Sequence, residues 1–156
     1  MTQALALSDY QALAELRYQI RLFLHFSEQA ARKMDLEPQQ HQLMLALKGL
    51  PPGLNPTVKT LAERMQTQHH STVELVNRLS RAGLVRRSRA GADRRQVLLA
   101  LTSKGEKVLS ELSMGHKDEL CTQGPALVAA LESVMRPTKG ARGSASKVPE
   151  QVGEAG

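Results

Sequence analysis

Apolar residues recur at steps of three and four along most of this chain, which is the pattern of helices with one buried face. The first such stretch covers residues 8–34, where Ser8 can cap the helix and Asp9 suits its first turn. A second begins at Pro38, a residue suited to the start of a helix, and ends at Gly49. We therefore expect a mainly α-helical protein.

Residues 57–102 combine two short helix patterns with a β-hairpin. Thr57 caps the first helix, and the second ends at Gly83, because glycine readily adopts the left-handed conformation that ends helices. Two runs of strand-forming residues follow, 84–88 and 96–101, around a loop that contains glycine and arginine. Two helices at a turn and a basic hairpin predict a helix-turn-helix with a wing.

The start of the second motif helix has two interpretations. Ser71 and Glu74 have the spacing of a capping box, which would start the helix at Ser71. The residues that should face the core are Thr72, Leu75, Val76 and Leu79. Their spacing requires a helix that begins near Gln68 or His69. We favour this longer helix, because burying three apolar side chains at about 1.5 to 3 kcal/mol each outweighs a cap worth about 1 kcal/mol. Ser71 then faces outward.

The last third of the chain continues the helical pattern and then loses it. Thr102 caps a helix whose apolar positions continue to Leu120, residues 122–124 interrupt the pattern, and Pro125 opens a last helix. Residues 137–156 have almost no apolar content and several Gly, Ser and Pro, so we expect a disordered tail there.

These elements predict one domain over residues 8–136. Residues 38–102 would form a winged helix-turn-helix DNA-binding lobe, and residues 8–34 and 103–136 a helical dimerisation region. A helix over residues 8–34 would be about 40 Å long. That is more than a small domain covers, so part of its apolar surface should meet a second subunit.

Charge and composition support a DNA-binding lobe in the cytoplasm. Residues 57–102 contain nine Lys or Arg and three Asp or Glu, a net charge of +6 that equals the charge of the whole chain. A basic excess confined to one motif is typical of a phosphate-binding surface. The chain has one cysteine, no recognisable leader and no apolar run of membrane-spanning length, so we expect a cytoplasmic protein.

The predicted wing carries an Asp-x-Arg pair, followed by a strand that ends in Leu-Thr and by a glycine near the next helix start. These residues are Asp93, Arg95, Leu101, Thr102 and Gly105. By them, and by the order of its helices, the chain resembles the MarR family of winged helix-turn-helix transcriptional regulators over roughly residues 10–135. The resemblance implies a homodimer with interleaved terminal helices and two recognition helices in successive major grooves, ~34 Å apart, of a pseudo-palindromic double-stranded operator.

The outward face of the recognition helix supplies the candidate base contacts. Arg78 can bind a guanine edge or a phosphate, and Asn77 suits adenine. His70 and Ser71 lie at the positive end of the helix, where a phosphate is favoured. The candidate DNA-binding residues on this helix are His69, His70, Ser71, Glu74, Asn77 and Arg78.

The wing carries a second set of candidates. Arg94 and Arg95 beside Asp93 have the composition of a minor-groove reader, because an arginine held by a carboxylate loses fewer rotamers on insertion. The resemblance assigns the groove contact to Arg95, with Asp93 orienting the wing. The candidate phosphate contacts are Arg86, Arg87 and Arg89. A hairpin with merely solvated charges is the alternative.

Metal and redox chemistry are not expected. His69 and His70 are neighbours on a helix, point about 100° apart and cannot chelate one ion from one face. Cys121 lies outside the first helix, where redox-sensing relatives place their thiol, so we expect a small buried or interfacial apolar residue. We expect no cofactor.

Regulation is suggested by the resemblance alone. Many members of the family bind a small aromatic or phenolic effector between the dimerisation helices and the DNA-binding lobe, and Arg17, His25, His41 and Met44 could line such a space. We expect a repressor released by an effector or another signal. The alternative is a winged-helix module for protein interaction or architecture. An enzyme is not expected, because no nucleophile has a base at a recognisable spacing and no glycine loop is built for phosphate.

Overall fold

The computed structural model describes residues 4–89 and 95–137. The elements follow in the order α1 (Leu7–Lys33), α2 (Pro38–Lys48), α3 (Val58–Met65), α4 (His69–Arg81), β1 (Val85–Ser88), β2 (Leu98–Leu101) and α5 (Ser103–Met135). β1 and β2 form an antiparallel hairpin. The predicted mainly α fold with a β-hairpin wing is confirmed. Within the described ranges, no helix is both long and apolar enough to cross a membrane.

The N-terminal ends of α1 and α2 are held by side chains that reach back to the backbone. The amide of Ala6 donates to the carboxylate of Asp9 at 2.8 Å, so the expected cap at Ser8 is wrong. At α2, the amide of Glu37 donates to the side-chain oxygen of Gln40 at 2.9 Å, and Pro38 occupies the first turn as expected. Both arrangements satisfy a backbone donor that the helix itself leaves unpaired.

The core lies where α2, α3, α4, the hairpin and the first half of α5 meet, and the end of α1 closes it. Its buried members are Ala31, Leu36, Leu43, Met44, Leu47, Leu61, Leu75, Val76, Leu79, Leu84, Val85, Leu99, Leu101, Leu109 and Leu112. They are almost all aliphatic, as the composition requires. The rest of α1 packs along α5 outside this core.

α5 is one continuous helix, so the expected break at residues 122–124 is wrong. Pro125 lies inside it. The fixed φ of proline suits a helix, but its nitrogen has no hydrogen to donate to the carbonyl four residues earlier. Leu120 and Leu127, on either side of Pro125, line a cavity together with Leu22 of α1. The helix is continuous where it runs beside α1, although the local sequence favours a break.

A close joint attaches the end of α4 and the start of the hairpin to α5. Thr102 caps α5 by accepting a hydrogen bond from the amide of Gly105 at 3.0 Å, and its hydroxyl donates to the carbonyl of Gly83 at 2.6 Å. Its own amide donates to the carbonyl of Leu84 at 3.0 Å. A Cβ at position 105 would overlap that same carbonyl oxygen. Only glycine fits at this point.

Replacing Gly105 by alanine should therefore destabilise the fold. The added methyl group meets backbone, which cannot move aside without breaking the joint, so Gly105→Ala should lower the free energy of unfolding by about 1–3 kcal/mol. Gly115→Ala on the same helix is the control, since a Cβ there meets no atom within 4 Å. It should raise stability by up to about 1 kcal/mol. Urea unfolding of both variants measures these changes. Equal changes in the free energy of unfolding would contradict the requirement for glycine at position 105.

Candidate nucleic-acid interface

The turn between α3 and α4 sets the direction of the recognition helix. α3 ends at Gln66, whose φ of 53° is left-handed, and the amide of Thr67 donates back to the carbonyl of Ala62 at 3.0 Å. The buried hydroxyl of Thr72 donates to the carbonyl of Gln68 at 3.1 Å and lies 2.8 Å from the hydroxyl of Thr67. These bonds satisfy a polar group inside the core and hold the start of α4 against the turn.

α4 begins at His69, so the longer helix is confirmed and Ser71 does not cap it. The residues on its buried face are Thr72, Leu75, Val76 and Leu79. The exposed residues on the opposite side include His69, His70, Glu74 and Arg78. Ser71 and Asn77 are half-buried, so Ser71 is less accessible than we expected.

Arg78 forms an ion pair with a residue that the sequence did not single out. Its guanidinium lies 2.9 Å from the carboxylate of Glu37, just before α2. The two side chains are 49% and 59% exposed. Exposed pairs of this kind contribute about 0–1 kcal/mol, so Arg78 can exchange Glu37 for a phosphate or a base edge at little cost. No local signal could have identified Glu37, because 41 positions separate the two residues.

A chain of hydrogen bonds joins the recognition helix to the wing. Arg87 of β1 donates to the side-chain oxygen of Asn77 in α4 at 2.7 Å, and the amide nitrogen of Asn77 donates to Glu74 at 3.4 Å. The first of these bonds is charge-assisted and therefore the stronger. It gives Arg87 a role within the protein in addition to the phosphate contact that we expected.

The hairpin register separates the wing arginines. Val85 pairs with Leu101 and Arg87 with Leu99, so these four side chains share the face that packs toward α4 and the core. Arg86 pairs with Ala100 and lies on the other face. The arginines of the described wing, all exposed, are Arg86, Arg87, Arg89 and Arg95. The expected roles of Asp93 and Arg94 fall outside the described residues.

The four residues expected to line an effector pocket lie in different surroundings. Arg17 and His25 are exposed on α1, whereas Met44 is 0% exposed inside the core. Because close packing leaves no open space beside it, Met44 cannot line a pocket in this conformation, and that expectation is corrected. His41 is 3% exposed. Burial, and secondarily the charge of His116, lowers the pKa of His41 below its ordinary value.

The remaining candidate chemistry is sparse. Cys121 is exposed in the single chain, so a buried role within one subunit is excluded and an interfacial one stays a prediction. Among residues 4–89 and 95–137, no three His, Cys, Asp or Glu side chains come together as a metal site would require.

This chain is similar to known transcriptional regulators of the MarR family. A sequence model of the MarR family matches residues 34–96, which include the helix-turn-helix and most of the wing. No curated protein sequence matches the chain. The crystal structure of AbsC, a MarR family transcriptional regulator from Streptomyces coelicolor, is similar with a TM-score of 0.68 at 20% identity. That similarity covers 87% of this chain and 95% of AbsC.

Two further solved structures share the fold. A mutant of MepR from S. aureus bound to an oligodeoxyribonucleotide has a TM-score of 0.59 at 19% identity, over 81% of this chain and 98% of MepR. YusO from Bacillus subtilis has a TM-score of 0.57 at 23% identity, over 79% of this chain and 93% of YusO. A MarR family sequence model thus covers the helix-turn-helix of this chain, and solved MarR family structures share its fold.

Proposed function

We propose that the protein is a homodimeric transcriptional regulator that binds double-stranded DNA with sequence preference at a pseudo-palindromic operator. The observation that carries this proposal is the bond between Asn77 of α4 and Arg87 of β1, which holds a recognition helix and a basic ribbon as one unit. A helix of this kind fits the major groove, while ribbon arginines fit the adjacent phosphates or the minor groove.

The exposed apolar surface supports a second copy of the chain as partner. The large apolar residues exposed on α1 and α5 are Leu7, Tyr10, Leu13, Tyr18, Ile20, Leu22, Leu24, Met114, Leu120, Val128, Leu131 and Met135. Twelve large exposed apolar side chains on two helices that contact each other favour a partner that covers part of them. We assign dimerisation to residues 8–34 and 103–136, and DNA binding to residues 38–102.

Regulation completes the proposal. The protein would act as a cytoplasmic repressor that occludes a promoter and is released by a small aromatic or phenolic effector or by another signal. A pocket for such an effector would form beside α1 once a second subunit is present, with Arg17 and His25 as exposed candidates to line it.

Binding to DNA should show both sequence preference and strong salt dependence. In a gel-shift titration, the DNA upstream of the protein's own gene should be bound more tightly than a random duplex. With about six phosphate contacts per dimer, affinity should fall about 10³-fold between about 50 and 200 mM salt. Equal binding to both duplexes would contradict the proposal and favour the protein-interaction alternative.

A double-mutant cycle tests the bond between the recognition helix and the wing. Asn77→Ala and Arg87→Ala should each weaken operator binding by about 1–3 kcal/mol. Because each loss includes their shared bond, the double variant should lose less than the sum of the two. Lys33→Ala removes an exposed positive charge outside the lobe and is the control, with little effect expected. Additive losses would show that the bond has no part in DNA binding.

A charge on α5 should disrupt the dimer. Leu131 on α5 and Leu45 on α2 are similarly exposed, at 46% and 49%. Leu131→Glu should shift the protein toward monomers, because the carboxylate would lose its hydration in an apolar interface. Leu45→Glu should leave the dimer intact. Sedimentation at micromolar concentration measures the oligomeric state of both variants. A monomeric wild-type protein would contradict the proposed homodimer.

A further inference from the structure

Two histidines meet where the DNA-binding lobe contacts the dimerisation helices. His41 belongs to α2 and His116 to α5, and their rings lie 4.8 Å apart at an angle of 30°. Phe23 and Phe26 of α1 contact His116 in T-shaped arrangements, with ring centroids 6.1 and 5.6 Å away. The stacked pair therefore connects an element of the lobe to both long helices.

The hydrogen bonds of His116 are compatible with either protonation state. Its Nδ1 lies 2.5 Å from the carbonyl of Leu112, which can only accept, so this nitrogen carries a proton. Its Nε2 lies 2.7 Å from the hydroxyl of Ser27 in α1. A serine hydroxyl can donate to the neutral ring or accept from the charged one. His116 can thus gain a proton without losing a partner.

His41 is in the opposite situation. Its Nδ1 is buried and has no hydrogen-bond partner among the described residues. A charge on His41 would be poorly solvated and would face a second charge in the stacked ring of His116, and both effects lower its pKa. A second proton on the pair therefore places two positive charges against each other in a poorly hydrated space.

Charged groups also lie on the elements around the pair. On α1, Glu28 lies 4.0 Å from Arg32. Next to α2, Glu37 is paired with Arg78, as described above. On α5, Lys117 is exposed, and Glu119 lines the cavity shared with Leu22. Besides burial, the group that acts on the pKa of His41 is His116.

We propose that the stacked pair of His41 and His116 is a proton-sensitive contact between the lobe and the dimerisation helices, so that acidification weakens DNA binding. When both rings carry a proton on acidification, their repulsion pushes α2 away from α1 and α5. The position of each recognition helix relative to its dimer partner then changes. This inference rests on the proposed function, because it deepens the regulation of the same DNA-binding surface.

The exposed histidines of α4 act in the opposite direction. His69 and His70 lie at the start of the recognition helix, and their protonation would strengthen contacts with phosphate. Their contribution is common to all variants that keep them. The effect of the stacked pair is therefore read from a ratio between variants rather than from the wild-type protein alone.

The experiment measures operator affinity at about pH 7.5 and 5.5 at constant ionic strength. His41→Phe keeps an aromatic ring and removes the titration, and Gln29→Ala changes an exposed residue of α1 as the control. One linked proton changes affinity by at most about tenfold per pH unit. The loss of affinity on acidification should be at least about threefold larger in the wild type and in Gln29→Ala than in His41→Phe. A smaller difference overturns the inference. If His41→Phe does not fold, His116→Gln is judged by the same criterion.

A second measurement needs no DNA. Because burial and His116 depress the pKa of His41 in the folded protein, the unfolded chain binds more protons between the lowered pKa and the ordinary one near 6.5. The free energy of unfolding should thus be highest above about pH 6.5 and fall through this window, less so in His41→Phe. NMR titration of the His41 ring should show its midpoint rise in His116→Gln. An unchanged midpoint overturns the proton-sensitive contact, whereas absence of sequence preference at about pH 7.5 overturns only the proposed function.

Discussion

Burial of one face of α4 is the constraint on which the remaining arrangement depends. The turn bonds of Thr72 and the packing of Leu75, Val76 and Leu79 fix the rotation of this helix about its axis. A change of one residue in this packing would rotate every outward side chain by about 100°. The exposed position of His70, Glu74 and Arg78 is therefore a consequence of what the core holds on the other side.

The second constraint is the contact between the end of this helix and α5. Thr102 donates hydrogen bonds to the carbonyls of Gly83 and Leu84. Because Gly105 has no side chain, its backbone can approach that of Leu84. The hairpin starts at this point, and its Arg87 donates a hydrogen bond to Asn77 of α4. Hydrogen bonds through Thr102 and Arg87 thus join the recognition helix, the wing and the long helix.

Charge on this surface is arranged for exchange rather than for stability. Arg78 has a carboxylate partner, but both groups remain about half exposed, and such pairs add little to folding. MepR, which shares this fold at 19% identity, was solved bound to an oligodeoxyribonucleotide.

The sequence by itself determined the helices, the hairpin, the start of α4 and the concentration of arginine in one lobe. Periodicity, caps and turn residues act within a few positions, so they can be recognised without knowing the fold. The tertiary structure alone decided that α5 continues through Pro125 and that Met44 is buried. It also decided the contacts of Glu37 with Arg78 and of His41 with His116. These outcomes depend on the packing of helices that are distant in the chain, which offsets local preferences and sets contacts that no local pattern encodes.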